Sequence, residues 1–230
     1  MLLAGLQKLT LLDFPGHMAC TVFTHGCNLR CPFCHNAGLV VRPNDNIINE
    51  ETFFEFLGKR KGLLDGVAIT GGEPLLQKDI ADFMRRVRAE GFKVKLDTNG
   101  FYPEALERIV SEGLADYVAM DIKSSPEGYA KVTGIADADI SGVKRSAEFL
   151  MRSGIGFEFR TTAVKGLHTL DDFKKIGEWI AGDEKYFIQH FTDSGDLIGS
   201  GKGFEGFGES ESLEILRTVL PYLPNASLRG

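Results

Sequence analysis

Three of the chain's four cysteines, Cys27, Cys31 and Cys34, fall within eight positions in the stretch CNLRCPFCHN. Thiolates at such short spacing bind zinc or an iron–sulfur cluster. Zinc needs a fourth ligand, and His35 directly after Cys34 is a candidate, but adjacent residues rarely both reach one tetrahedral centre. No second Cys-x2-Cys is present. A [4Fe–4S] cluster on three cysteines leaves one iron open to a small molecule, as an open position distinguishes a catalytic metal site. The fourth thiol, Cys20, lies mid-strand between Ala19 and Thr21 and reads as a buried core residue. Three clustered cysteines in 230 residues do not resemble a secreted disulfide framework; they indicate a metal site in a reducing compartment.

The elements that must hold this loop alternate in type. Short β-type runs are expected at 17–24, 66–70, 92–98, 116–121, 156–164 and 185–191. Amphipathic helical stretches are expected at 50–61, 78–90, 103–112, about 140–153 and 169–181, with a last helix near 209–221. Six strands alternating with helices imply parallel pairing through right-handed crossovers. Within 92–98, Lys93, Lys95 and Asp97 share one face while Val94 and Leu96 take the other. Within 156–164, Glu158, Arg160 and Thr162 oppose Phe157, Phe159 and Ala163. One apolar and one charged face favour a curled, partial barrel with a polar lumen over a flat sheet buried on both sides. The competing reading is that these strands are sheet edges with a solvated face. Residues 192–208, rich in glycine and poor in aliphatics, read equally as a lid or as a linker.

In parallel α/β folds, ligands bind at the C-terminal ends of the strands. The polar groups of this chain collect there: Thr24-His25-Gly26 and the cysteine loop, Thr70-Gly71-Gly72-Glu73-Pro74, Asp97-Thr98-Asn99-Gly100, Asp121-Ile122-Lys123 and Gln189-His190. Glycines and proline after a strand also suit a plain tight turn, and Asn-Gly is a strong turn signal by itself. Strand alternation allows only one of Gln189 and His190 to face the lumen.

Composition bounds the rest. Hydrophobic content of 43% and charged content of 25% are ordinary for a globular protein. A formal charge of −6 argues against a nucleic-acid partner, and the short basic runs at Lys59-Arg60-Lys61 and Arg85-Arg86 read as solvated helix faces. No window suits a membrane span, and the N-terminal residues lack a signal-peptide pattern, so a cytoplasmic protein with no membrane partner is expected.

The motifs taken together carry a specific resemblance. CNLRCPFCHN resembles the CxxxCxxC signature of the radical S-adenosylmethionine (SAM) superfamily, including the aromatic Phe33 before the last cysteine, and GGEP at 71–74 is similar to its glycine-rich motif. LDFPG at 12–16, CHN at 34–36, LDTNGF at 96–101 and MDIK at 120–123 resemble the glycyl-radical-enzyme activases, the group of the pyruvate formate-lyase activating enzyme. FIQHF at 187–191 and the closing PNASLRG look most like the anaerobic ribonucleoside-triphosphate reductase activating branch. Residues 192–215 are the part least covered.

This resemblance implies an α/β fold: a partial (β/α)6 TIM-like barrel over residues 1–191, with a cluster loop at 25–38. Residues 192–230 form a glycine-rich loop and a C-terminal helix and strand packed on that core. It implies one [4Fe–4S] cluster on Cys27, Cys31 and Cys34, with SAM on the fourth iron. Reductive cleavage of the sulfonium would give a 5′-deoxyadenosyl radical that takes hydrogen from a glycine Cα of a partner glycyl radical enzyme. No catalytic residue is expected beyond the cluster and SAM site. By the same resemblance, Gly71 and Gly72 let the backbone approach SAM, Glu73 accepts from its ammonium, and Pro74 fixes the turn. Phe33 packs beside the adenine and the backbone around His35 bonds its edge, although a loop histidine bonding locally is the simpler reading of His35. Lys123 pairs with the SAM carboxylate. Asp97, Thr98 and Asp121 make an oxygen-rich site for a monovalent cation, and Asn99, Arg160 and His190 complete the cofactor-binding set. The implied partner is anaerobic ribonucleoside-triphosphate reductase, with flavodoxin or ferredoxin as the electron donor. Two other readings are a radical SAM enzyme acting on a small molecule, similar to 7-carboxy-7-deazaguanine synthase, and a non-catalytic metal or electron-transfer module.

Overall fold

The computed structural model describes residues 1, 3–41, 47–193, 195–199 and 203–230. Its first element, β1 (Leu3–Thr10), is not anticipated by the sequence reading. It runs antiparallel to β2 (Ala19–Thr24) with register shifts between Leu3 and Gly5 and between Gln7 and Thr10. Those irregularities break the period of two that a strand otherwise shows. The expected strands follow as β3 (Gly66–Gly71), β4 (Lys93–Thr98), β5 (Tyr117–Asp121), β6 (Gly156–Lys165) and β7 (Tyr186–His190), each parallel to its predecessor. A two-residue strand, β8 (Glu205–Gly206), pairs with β6, and β9 (Ala226–Arg229) adds in parallel to β7. The order β1-β2-β3-β4-β5-β6-β7-β9 leaves an open sheet, a partial barrel.

Between the strands lie α1 (Ala37–Val40), α2 (Glu50–Gly58), α3 (Ile80–Ala89), α4 (Pro103–Ser111), α5 (Tyr129–Thr133), α6 (Ser141–Ser153) and α7 (Leu170–Trp179), with α8 (Glu209–Val219) before β9. Local chemistry sets their starts. Pro103, which needs no N–H partner, opens α4. Thr169 and Asp172 form a reciprocal capping box at α7, and the Asn49 side chain accepts from the Glu51 amide at α2.

The core lies between the sheet and these helices, where Val94, Leu96 and Phe159 from the strands meet Phe83, Leu106, Val143 and Ile176 from the helices. The alternate residues of β4 and β6 face the other way, into the curl. Lys95 and Glu158 are each only 1% exposed, and both strands have neighbours on each side. The charged faces are therefore a buried lumen, not solvated edges.

Candidate functional site

A cavity of about 310 Å³ opens at the C-terminal ends of the parallel strands, and Cys27, Cys31 and Cys34 all line it. The cysteine loop leaves β2 and is sewn to the end of β3. The Gly72 amide donates to Thr24 O (3.0 Å), the Glu73 amide to Gly26 O (2.8 Å), and Asn36 Nδ2 to Gly71 O (3.1 Å). This contact accounts for the paired glycines. A Cβ on Gly72 would fall 1.8 Å from Gly26 O, and one on Gly71, at φ +112°, would fall 2.4 Å from Thr24 N. Both glycines line the cavity, and the backbone of the end of β2 and of the cysteine loop excludes a side chain there.

The thiols sit in a half-apolar cradle. Cys31 and Phe33 pack with Leu29, Val132, Val164, Leu167, Phe191 and Leu197. Burial pushes the Cys31 thiol up to about 12 and raises Cys27 as well, so in the free protein both hold their protons. Occupation by a metal cluster would release them. The Cys27 sulfur accepts from the Leu29 amide (3.4 Å) and lies 3.8 Å from Asn99 Nδ2. Cys20 is fully buried in the sheet–helix core and takes no part. Part of the glycine-rich stretch folds over this loop: Leu197 is 4% exposed, and the Gly199 amide donates to Pro32 O at 2.7 Å. Residues 194 and 200–202 of that stretch lie outside the described residues.

Glu73 ties three strand ends together. Its Oε1 accepts from the Leu75 amide (3.0 Å) and Thr98 Oγ1 (2.9 Å), and its Oε2 accepts from the Asn99 amide (2.7 Å). The residue is 1% exposed, and burial raises its carboxyl to about 7 despite these donors. Asn99 continues the knot, donating from Nδ2 to Asn28 Oδ1 (2.8 Å) and accepting at Oδ1 from the Phe101 amide (3.1 Å).

Below the cavity runs a ladder of alternating charge. Lys95 meets Asp97; Arg160 donates to Asp97 Oδ2 (3.2 Å) and Asp121 Oδ1 (2.9 Å); Lys123 Nζ donates to Asp121 Oδ2 (2.9 Å). The register pairing Asp121 with Arg160 across β5 and β6 brings the last three together. Burial alone would raise both aspartates, but Arg160 and the lysines outweigh it and hold them below the usual carboxylate range. Burial alone would likewise lower Lys123, and Asp121 beside it reverses the shift.

Of the residues expected at the site, Phe33, His35, Gly71, Gly72 and Glu73 line the cavity with the cysteines. Asp97, Thr98, Asn99, Asp121, Lys123 and His190 do so from the opposite strand ends. Pro74 and Arg160 do not. Pro74 is buried at the start of a single 3-10 turn (Pro74–Leu76), and Arg160 lies in the ladder beneath. Gln189 and His190 both reach the cavity wall, where alternation allowed one. His190 is the last residue of β7, at the rim, where strand alternation no longer constrains the side chain. A cation among Asp97, Thr98 and Asp121 would share carboxylate oxygens that each already take one donor from Lys95, Arg160 or Lys123, and Thr98 Oγ1 donates to Glu73. The sequence reading does not identify Tyr129 and His168. Both bind the backbone of Lys123 across the loop, and only the folded chain brings them there.

The chain is similar to known proteins. The profile of the Radical SAM superfamily matches residues 21–180. A Methanocaldococcus jannaschii protein named provisionally as a glycyl-radical enzyme activating enzyme is 29% identical over 234 residues, covering 99% of this chain and 95% of that protein. A Pyrobaculum aerophilum protein named as a GTP 3′,8-cyclase is 28% identical over 197 residues, covering 84% of this chain and 62% of that protein. The crystal structure of Streptococcus suis SuiB bound to S-adenosylmethionine has the same fold over 90% of this chain and 49% of its own, with TM-score 0.68 and 15% identity. Among the described residues, no helix is long and apolar enough to cross a membrane.

Proposed function

This chain belongs to the radical SAM superfamily, and from that premise we propose that it is an enzyme of the glycyl-radical activating kind that activates an anaerobic ribonucleoside-triphosphate reductase by removing hydrogen from a glycine. The observation that carries the reading is the convergence of three thiols, and no fourth, on a cavity walled by the GGEP, DTNG and DIK strand ends. The donor set fits a [4Fe–4S] cluster with one open iron better than a closed tetrahedral site. Bound there, the cluster and SAM supply the reductive cleavage that yields a hydrogen-abstracting 5′-deoxyadenosyl radical.

The chain's own residues hold and orient. Cys27, Cys31 and Cys34 ligate. Lys123, the only lysine or arginine lining the cavity among the described residues, meets the SAM carboxylate. Glu73 Oε2, which carries a single protein donor, accepts from the ammonium. Phe33 offers its ring to the adenine, and Leu197 with Phe191 keeps water from the Cys31 side. In this reading the electron comes from a flavodoxin or ferredoxin in an anaerobic cytoplasm, and residues 1–191 form the catalytic core that 192–230 completes.

Incubating the reconstituted, reduced protein with SAM and the reductase is expected to give a glycyl radical signal in electron paramagnetic resonance, absent with Cys27→Ala. SAM cleavage without that signal, for this reductase and other glycyl radical enzymes, would overturn the reading. The similarity to a GTP 3′,8-cyclase favours one second reading, a small-molecule substrate. Its mark would be deuterium passing from a labelled nucleotide into 5′-deoxyadenosine.

A further inference from the structure

Lys123 owes its place to two side chains that lie outside the cavity. Its amide N–H donates to the Tyr129 hydroxyl at 3.1 Å, and its carbonyl lies 2.9 Å from His168 Nε2. Tyr129 opens α5, and His168 stands just before α7, so two elements hold the peptide groups on either side of the Lys123 Cα. Both rings are buried, His168 to 4% exposure. His168 is itself fixed. Its Nε2 faces a carbonyl, which only accepts, so Nε2 carries a proton and donates to Lys123 O, while Nδ1 accepts from the Val164 amide at 3.1 Å with Val164 O 3.3 Å away. The next residues are tied to the same corner, for Ser125 Oγ donates to Asp172 Oδ1 at 2.5 Å.

We propose that His168 is a positioning residue: its Nε2–H holds the Lys123 peptide so that the ammonium projects into the cavity beside Asp121, where it meets the carboxylate of the SAM methionyl group. A lysine has four flexible bonds, so the direction of its charge depends on where its backbone is clamped and on the one carboxylate that steers its tip. Here the clamp is His168 with Tyr129, and the steering group is Asp121. The inference rests on the proposed role of Lys123, and its test separates the two.

The test uses the cluster-loaded protein under anaerobic conditions, titrated with two probes. S-adenosylhomocysteine carries the amino-acid end, and 5′-deoxyadenosine lacks it. His168→Leu should weaken S-adenosylhomocysteine about tenfold, the effect of one lost hydrogen bond at a buried position, and leave 5′-deoxyadenosine within about twofold. His168→Gln, whose amide can still donate to Lys123 O, should recover most of the loss. Tyr129→Phe should act in the same direction and serves as the second variant if His168→Leu does not fold. Unchanged S-adenosylhomocysteine binding in both variants, or an equal loss for both probes, overturns the proposal, the latter because it marks general damage to the site. Lys123→Ala is the control on the premise. If it spares S-adenosylhomocysteine, the assigned role of Lys123 fails; if it weakens that probe and the His168 variants do not, only the positioning role fails.

Discussion

β4 and β6 each present two surfaces built from alternate residues of the same few turns of chain, and the two are stabilised by different physics. Outward, Val94, Leu96, Phe157 and Phe159 enter the apolar core against the helices, where attraction is non-directional and many side-chain combinations would do. Inward, Lys95, Asp97, Glu158 and Arg160 sit in a closed set of ion pairs. Lys95 meets Asp97, Arg160 bridges Asp97 and Asp121, and Glu158 takes a bidentate contact from Arg229 at 2.7 and 3.1 Å. Removing these charges from water is costly, and their mutual attraction offsets that cost only while every partner is present. The outer faces therefore hold the barrel together, and the inner faces place charge beneath the cavity.

The sharpest way to break this contrast is Arg160→Leu. It keeps apolar volume in the lumen but leaves Asp97 and Asp121 each with one cation where they had two. A loss of about 3–5 kcal/mol in unfolding free energy is expected from denaturant titration, the scale of breaking buried ion pairs by removing one partner. Adding Asp97→Asn should deepen the loss, because the buried Lys95 then loses its carboxylate partner. A loss below about 1 kcal/mol would mean that the lumen is wetter and more forgiving than its burial indicates.

The same contrast explains what could be read from the chain alone. Lys95 and Asp97 two apart, with Leu96 between them and Val94 before, reveal a polar lumen because strand alternation is a local property. The cysteine spacing and the strand-end motifs are local too, and the structure gathers them around one cavity. The less legible features depend on contacts between distant residues. β1 is an edge strand with two register shifts, so its pattern follows its neighbour more than its own sequence. At Gly71 and Gly72 the close contact comes from Thr24 and from Gly26, 46 residues from Gly72, which no local pattern shows. His168 acts 45 residues away from Lys123, and no spacing rule links a histidine before one helix to a lysine after another strand.

Glu73 sharpens the comparison as a third kind of site, a buried carboxylate held by neutral donors with no cation in contact among the described residues. Its carboxyl rises from 4.5 to about 7, whereas Asp97 and Asp121 are depressed, so the two kinds should oppose each other in pH dependence. A raised folded-state value means that the group's contribution is fully present below pH 4.5 and is lost as the pH climbs through about 7. The aspartates contribute above their unfolded value of 3.8 and lose that contribution as the pH falls toward their lower folded values. Urea unfolding of the cluster-free protein between pH 4 and 8 should therefore show a decline between about pH 4.5 and 7, on the order of 3 kcal/mol, that Glu73→Gln flattens. Parallel profiles for the two proteins would assign the decline to other groups.

The smallest effect belongs to the outer face. Leu96 is fully buried on β4, one residue from Lys95 and one from Asp97, yet it faces the helices. Leu96→Met conserves volume and adds only a flexible thioether, so it should cost less than about 1.5 kcal/mol and leave cluster loading unchanged. Lys95→Met, an equally apolar replacement next to it, removes the lumen partner of Asp97 and should cost clearly more in the same titration. If the two substitutions cost the same, the faces would differ in composition but not in energetics. A gap of 1 kcal/mol or more between adjacent positions would show that alternation along one strand separates a tolerant core from an intolerant site floor.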